Sequence, residues 1–163
     1  MGKMLIQKKI LLSSIMLFIM IGIGGCGNDN KKNGMSTSDS STIRKESGKE
    51  KLTGNNLNIT IKDIKLSENG DGKKKIVTIK LDTVNKNKVE YGLGGGDFKL
   101  EVKNKKYEVI PSASNIGTEI KSEAKVVGEI FFEIPKESKK ATLLYMPLNS
   151  KEEKILANWK IDI

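Results

Sequence analysis

The chain has 163 residues, with 29 Lys and Arg against 20 Asp and Glu, no His, one Cys and 5% aromatic side chains, which accommodates one domain plus appendages. The absence of histidine removes every Ser-His-Asp and Cys-His mechanism and the commonest transition-metal ligand. A lone cysteine removes intrachain disulfides and zinc knuckles.

In chain order, Met1–Lys9 carries Lys3, Lys8 and Lys9 and no acid, and Ile10–Ile23 is almost unbroken apolar sequence. A basic start followed by an apolar run is the layout of an export signal. As a helix the run would span about 21 Å at roughly 1.5 Å per residue, short of the ~30 Å hydrocarbon core of a bilayer. The run closes on Ile23, Gly24, Gly25 and Cys26, which resembles the lipobox of bacterial lipoproteins: an aliphatic residue, two small residues and a cysteine. The resemblance implies a signal peptide over 1–25, recognised by its peptidase at Ile23, Gly24 and Gly25. It also implies a diacylglyceryl thioether on Cys26 that holds the mature chain on the extracytoplasmic face of the cell membrane. Two acyl chains hold stably where one is marginal.

From Gly27 to Gly54 the sequence is mostly Asn, Lys, Ser, Thr, Gly, Asp and Glu, with Met35, Ile43 and Leu52 its only sizeable apolar residues. Such a composition buries no core. Residues 26–54 therefore read as the lipidated cysteine and a flexible, disordered tether reaching about 30 Å, from roughly 5.5 Å × √n. Residues 55–163 hold every aromatic except Phe18 and read as the folded domain.

Within that domain the apolar spacing is mostly two, the period of strands with one buried face. Leu57, Ile59 and Ile61 are followed by Ile64 and Leu66 in the opposite phase, which predicts a bulge near Lys62 and Asp63. A turn over Glu68–Lys74 leads to a second inward row, Val77, Ile79 and Leu81, and the two strands form a hairpin. Phe98, Leu100 and Val102 pair through Asn104 and Lys105 with Tyr107 and Val109, up to Pro111. Ser112–Lys121 reads as a long connection with a short strand around Ile116–Ile120. Val126, Gly128, Ile130, Phe132 and Ile134 form the longest inward row; Ala141–Met146 and Trp159, Ile161 and Ile163 supply the closing strands, with a turn or two of helix expected between Ser150 and Asn158. The pattern predicts an all-β, antiparallel sandwich.

Four stretches carry a family resemblance: DFKLEVKNKKYEVI at Asp97–Ile110, SEAKVVGEIFFEIP at Ser122–Pro135, ATLLYMP at Ala141–Pro147 and the closing NWKIDI. They resemble the telokin-like, immunoglobulin-like domain of unknown function of many secreted bacterial lipoproteins, related to small immunoprotective secreted antigens. The resemblance implies an immunoglobulin-like sandwich outside the cytoplasm and brings no catalytic residues with it. With one cysteine, a disulfide-pinned antibody-type domain is excluded.

Among candidate sites, Tyr91, Gly92, Leu93, Gly94, Gly95, Gly96 and Asp97 read as a flexible end loop, the one best suited to a binding edge. No helix follows the glycines to meet a pyrophosphate, so a dinucleotide loop is not supported. Glu68, Asn69, Asp71 and Gly72 lack the terminal acid of a calcium loop and read as a hairpin turn. Glu129 and Glu133 share the outward phase of one strand and read as solvated carboxylates rather than a hydrolytic pair. Lys73, Lys74 and Lys75 form a basic patch, and with Lys103, Lys105 and Lys106 and with Lys136, Lys139 and Lys140, clusters lying mostly in turns, it reads as able to attract anionic lipid or wall polymer. The expectation is a noncatalytic binding module on a lipid anchor, not an enzyme. It needs no cofactor or metal, its partner is an extracytoplasmic protein or wall polymer, and it has no nucleic-acid role; the alternative is electrostatic attachment to wall or membrane.

Overall fold

The computed structural model describes residues 42–44, 49–149 and 154–163. The signal segment, the lipobox-like Ile23–Cys26 and residues 150–153 lie outside the described residues.

Eleven strands build the described part, joined by a single 3₁₀ turn at Gly95–Asp97 and no α-helix. The first sheet is centred on β3 (Leu57–Glu68) and β4 (Lys74–Asn85), with β9 (Lys125–Pro135) beside β4. Along the outer edge of β3 run two short strands, β1 (Thr42–Arg44) and β2 (Lys49–Leu52). The second sheet has the order β11-β10-β6-β7, from β6 (Phe98–Val102), β7 (Lys105–Tyr107), β10 (Lys140–Tyr145) and β11 (Ala157–Asp162). A two-stranded ribbon pairs β5 (Tyr91–Gly94) with β8 (Gly117–Ile120). Every pairing is antiparallel. The orders β3-β4-β9 and β11-β10-β6 correspond to the A-B-E and G-F-C orders of the immunoglobulin sandwich.

The alternation in the sequence explains the core. Leu57, Ile59, Ile61 and Ile64 of β3, Val77, Ile79 and Leu81 of β4 and Ile130, Phe132 and Ile134 of β9 are buried from one sheet. Phe98, Leu100, Leu143, Tyr145, Trp159 and Ile161 face them from the other. The register of β3 on β4 shifts between Ile61 and Asp63, the bulge that the phase change requires, and it keeps Ile64 on the buried side. Gly72, at φ 66°, closes the β3–β4 turn, where its N–H donates to the Asn69 carbonyl at 2.9 Å. Lys103 and Asn104 both have positive φ in the two-residue turn between β6 and β7, the geometry that matches strand twist.

Two expectations are corrected. The folded part starts before Asn55, because β1 and β2 pair with β3 inside the stretch whose composition reads as tether. The arm needs no apolar face for this: backbone ladders hold it, and its side chains reach across the sandwich edge. Lys49 Nζ donates to the Lys160 carbonyl at 2.7 Å, Lys51 Nζ donates to the Asn158 carbonyl, and Trp159 Nε1 donates to the Lys49 carbonyl at 2.9 Å. The second correction concerns Ser150–Asn158, whose described part, from Lys154 onward, contains no helix. Leu156 N–H instead donates to the Tyr145 carbonyl at 2.9 Å, and Ala157 starts β11 opposite Tyr145.

The edges formed by β9 and β11 are covered. Beside β9, Ile110 N–H donates to the Phe131 carbonyl at 2.8 Å, Asn115 Oδ1 accepts from Phe131 N–H at 3.0 Å, and Ile116 N–H donates to the Glu129 carbonyl at 2.8 Å. Beside β11, the two arm lysines occupy the Asn158 and Lys160 carbonyls. An unpaired strand edge is a template for pairing with another chain, and charged side chains blunt it.

Candidate functional site

The Tyr91–Asp97 segment is not an open loop. It is β5 followed by the 3₁₀ turn, with Leu93, Gly95 and Asp97 buried. Gly95 has no room for a side chain, since a Cβ there would lie 2.7 Å from Asn115 Cβ, so packing against Asn115 accounts for that glycine. The Asp97 carboxylate accepts from Gly94 N–H at 2.8 Å and Leu148 N–H at 3.0 Å, and its carbonyl accepts from Met146 N–H at 2.7 Å. Asp97 thus ties the start of β6 to the connection after β10. Asn55 Nδ2 donates to both the Tyr91 hydroxyl (2.6 Å) and the Tyr145 hydroxyl (2.8 Å). Burial pushes the Tyr145 phenol well above its usual range, the Asn55 hydrogen bond opposes this, and the Tyr91 hydroxyl adds to it.

Lys73–Lys75 does not form one solvated patch either. Lys73 is exposed. Lys74 pairs with Glu133 at 2.5 Å, a hydrogen bond that raises its pKa above the ordinary lysine value. Lys75 shares the inward phase of Val77 and Ile79, is buried, and donates to the Ser138 carbonyl. Glu133 also accepts from Asn69 Nδ2. The hairpin turn is equally committed: Asp71 accepts from Lys73 N–H at 2.9 Å, and Glu68 pairs with Lys136 at 2.8 Å.

Outward-pointing residues instead assemble a site on the outer face of the second sheet. A cleft of about 450 Å³ is bordered by Lys49, Lys103, Lys140 and Lys160, with Glu101, Thr142 and Asp162 among its lining. Its layout follows from register. Thr142 of β10 stands between Glu101 of β6 and Lys160 of β11, and Lys140 stands opposite Asp162. Lys103 and Lys140 each lie two residues beyond the Glu101–Thr142 pair in the same direction. The arm brings Lys49 alongside Lys160 through the hydrogen bond already described. Among the described residues Lys103, Lys140 and Lys160 form no ion pair. Glu101 and Asp162 are likewise unpaired, so the border carries four positive and two negative groups.

The outer face of the first sheet is closer to balance. Asp63, Lys80 and Glu129 stand in one row across β3, β4 and β9, and Asp82 binds Lys125 at 2.6 Å and Lys62 at 3.8 Å. Asp63 Oδ1, on this face, and Thr83 Oγ1, on the inward phase of β4, are buried without a hydrogen-bond partner. Glu129 and Glu133 lie on this face, where Glu133 is held by Lys74 and Asn69.

A family model described as a domain of unknown function, DUF4352, matches residues 45–155. The chain belongs to the DUF4352 family. The match begins ahead of Asn55, in agreement with a DUF4352 fold that includes β2. Two solved structures share the sandwich. One is the crystal structure of ycdA from Bacillus subtilis, described as a candidate lipoprotein, at 23% identity and TM-score 0.57, over 72% of this chain and 39% of that one. The other is yjhA from the same organism, at 20% identity and TM-score 0.52, over 71% of this chain and 96% of that one. The chain thus spans well under half of ycdA. A comparison with curated proteins found no match.

Two of the cleft's lysines, Lys103 and Lys140, belong to basic clusters read from the sequence, but their assembly with Lys49 and Lys160 into one cleft was not legible there. Its members come from four separate strands and a turn, and only their outward parity, as in Lys140, Thr142 and Lys160, is a local signal.

Proposed function

We propose that this chain is an extracytoplasmic protein, held on the cell membrane by a lipidated Cys26, that presents a noncatalytic immunoglobulin-like binding module. On this reading the module is akin to the telokin-like domains of secreted lipoproteins and of small immunoprotective antigens. Support for the anchor comes from the lipobox-like Ile23–Cys26 after a short basic and apolar start, and from a sandwich shared with a candidate lipoprotein. Cys26→Ser should accumulate unprocessed precursor without lipid; normal-sized, membrane-retained protein in that variant would refute the anchor.

The observation that carries the binding role is the lysine-bordered cleft. Like-signed groups held together over a concave surface concentrate potential and draw an oppositely charged partner. Recognition therefore moves from Tyr91–Asp97 to the outer face of β6, β10 and β11, and the partner is an extracytoplasmic protein or wall polymer. The same lysines also favour a second reading, diffuse electrostatic attachment to wall or membrane. Crosslinking on intact cells separates the two. With a discrete site, Lys140→Glu with Lys160→Glu abolishes the crosslinked product and Lys73→Glu with Lys86→Glu leaves it. With diffuse attachment both pairs weaken it equally.

A further inference from the structure

The composition of the cleft narrows its ligand class, on the basis that the module binds through this face. Three ammonium groups, those of Lys103, Lys140 and Lys160, stand within a few strand spacings of one another without an ion-pair partner among the described residues, and Lys49 of the arm, whose ammonium donates to the Lys160 carbonyl, borders them. Lys140 and Lys160 are diagonal neighbours about a registered pair, which sets their backbones roughly 7–8 Å apart. Lys103 flanks Lys140 on the far side. Like charges so placed repel; Asp162 stands opposite Lys140 in register, yet neither it nor Glu101 comes within ion-pair distance of these lysines. An ammonium is a compact donor of three hydrogen bonds and binds phosphate as a point charge. Thr142, at the centre of the lysines, offers a hydroxyl that can donate to a phosphate oxygen or accept from a ligand hydroxyl. The shape selects further. A flat bilayer meets only the rim of a cleft, whereas a flexible linear chain can enter it and reach the lysines that border it.

We propose that this cleft binds a linear, phosphodiester-linked polyanion, with Lys103, Lys140 and Lys160 as its phosphate contacts and Lys49 completing the border when the arm is docked.

The test uses the full chain and three probes: a soluble glycerol-phosphate polymer, polyglutamate of equal charge, and vesicles containing phosphatidylglycerol. The unmodified chain should bind the glycerol-phosphate polymer at least tenfold more tightly than polyglutamate. Lys140→Gln with Lys160→Gln should weaken that binding at least tenfold and make its salt dependence shallower by about 1.4, at about 0.7 per cation neutralised on a flexible polyanion. Lys73→Gln with Lys86→Gln, remote from the cleft, should leave affinity within twofold. Unchanged Trp159 fluorescence establishes that each variant is folded. Equal binding of polymer by the cleft variant, no preference over polyglutamate, or binding to vesicles alone would overturn the proposal. If the chain binds no phosphate polymer yet crosslinks on cells in a manner sensitive to Lys140 and Lys160, the ligand class is wrong and the binding module stands. Loss of both results removes both readings.

Discussion

Gly128 offers the sharpest test of how the sandwich is packed. It stands on the inward phase of β9 opposite Leu81, and its backbone lies outside the positive-φ region, so alanine is conformationally permitted. Space is what it lacks: a Cβ there falls 2.5 Å from Ile116 Cδ1 and 2.7 Å from Ile116 Cβ and Cγ1. Carbon atoms in good contact sit about 3.5–4.0 Å apart, so Ile116 would have to retreat by about 1 Å. It is buried, and its N–H is held on the Glu129 carbonyl at 2.8 Å. Overpacking costs about 1–3 kcal/mol, while a Gly-to-Ala change stiffens the unfolded chain and returns about 0.4–1 kcal/mol. The two ranges leave a net loss of about 0–2.6 kcal/mol, and with contacts as short as 2.5 Å Gly128→Ala should lose at least about 1 kcal/mol of it. Trp159, the only tryptophan and 1% exposed, reports unfolding in guanidinium by fluorescence, and the midpoint should fall with the slope unchanged. In an Ile116→Ala background two of the three close contacts vanish, so Gly128→Ala should cost at least about 0.5 kcal/mol less than it does alone. Wild-type stability in Gly128→Ala, or strict additivity of the two changes, would refute this packing argument.

Asn85→Ala should cost about 2–4 kcal/mol, because the fully buried Asn85 side chain donates to the Val89 and Ile120 carbonyls, both at 2.8 Å, and accepts from Asn87 N–H at 2.9 Å; denaturant unfolding measures it. Tyr145→Phe should cost only about 0.5–1.5 kcal/mol, since Asn55 keeps its bond to the Tyr91 hydroxyl. The same residue sets an alkaline limit. Its pKa is raised by burial, so below about pH 10 folded and unfolded chains both hold the phenolic proton, and above it the unfolded chain releases the proton first and stability falls. Thermal melts from pH 8 to 11 should show that decline, flattened in Tyr145→Phe. Lys51→Ala removes an ammonium that caps the Asn158 carbonyl and lies 5.8 Å from the Trp159 ring centroid; it should cost about 0.5–1 kcal/mol and speed amide exchange in β2.

The phase change from Ile61 to Ile64 made the bulge legible, because a period of two leaves no other way to keep both residues inside. The hairpins and the long inward row of β9 were legible for the same reason. The arm was not: Lys49–Leu52 has no buried face, and what holds it is a backbone ladder together with lysine contacts to a strand more than a hundred residues away. The glycines of Gly92–Gly96 suggested a loop because glycine is common in turns, yet here β5 pairs with β8 and Gly95 admits Asn115. Lys75 carried a usable signal, its shared parity with Val77, which its charge obscured. The cleft could not be read locally, because pairing alone brings Glu101, Thr142 and Lys160 into one row.

The arm also fixes how the molecule responds to tension at its beginning. β1 and β2 run back along β3 from Leu66 towards Asn58, with Thr42 the outermost described rung. A pull directed away from the sheet unzips these rungs one after another from the Leu66 end, instead of shearing them all together. The outlying strands yield first, and the hydrophobic interior is loaded only after they have peeled away.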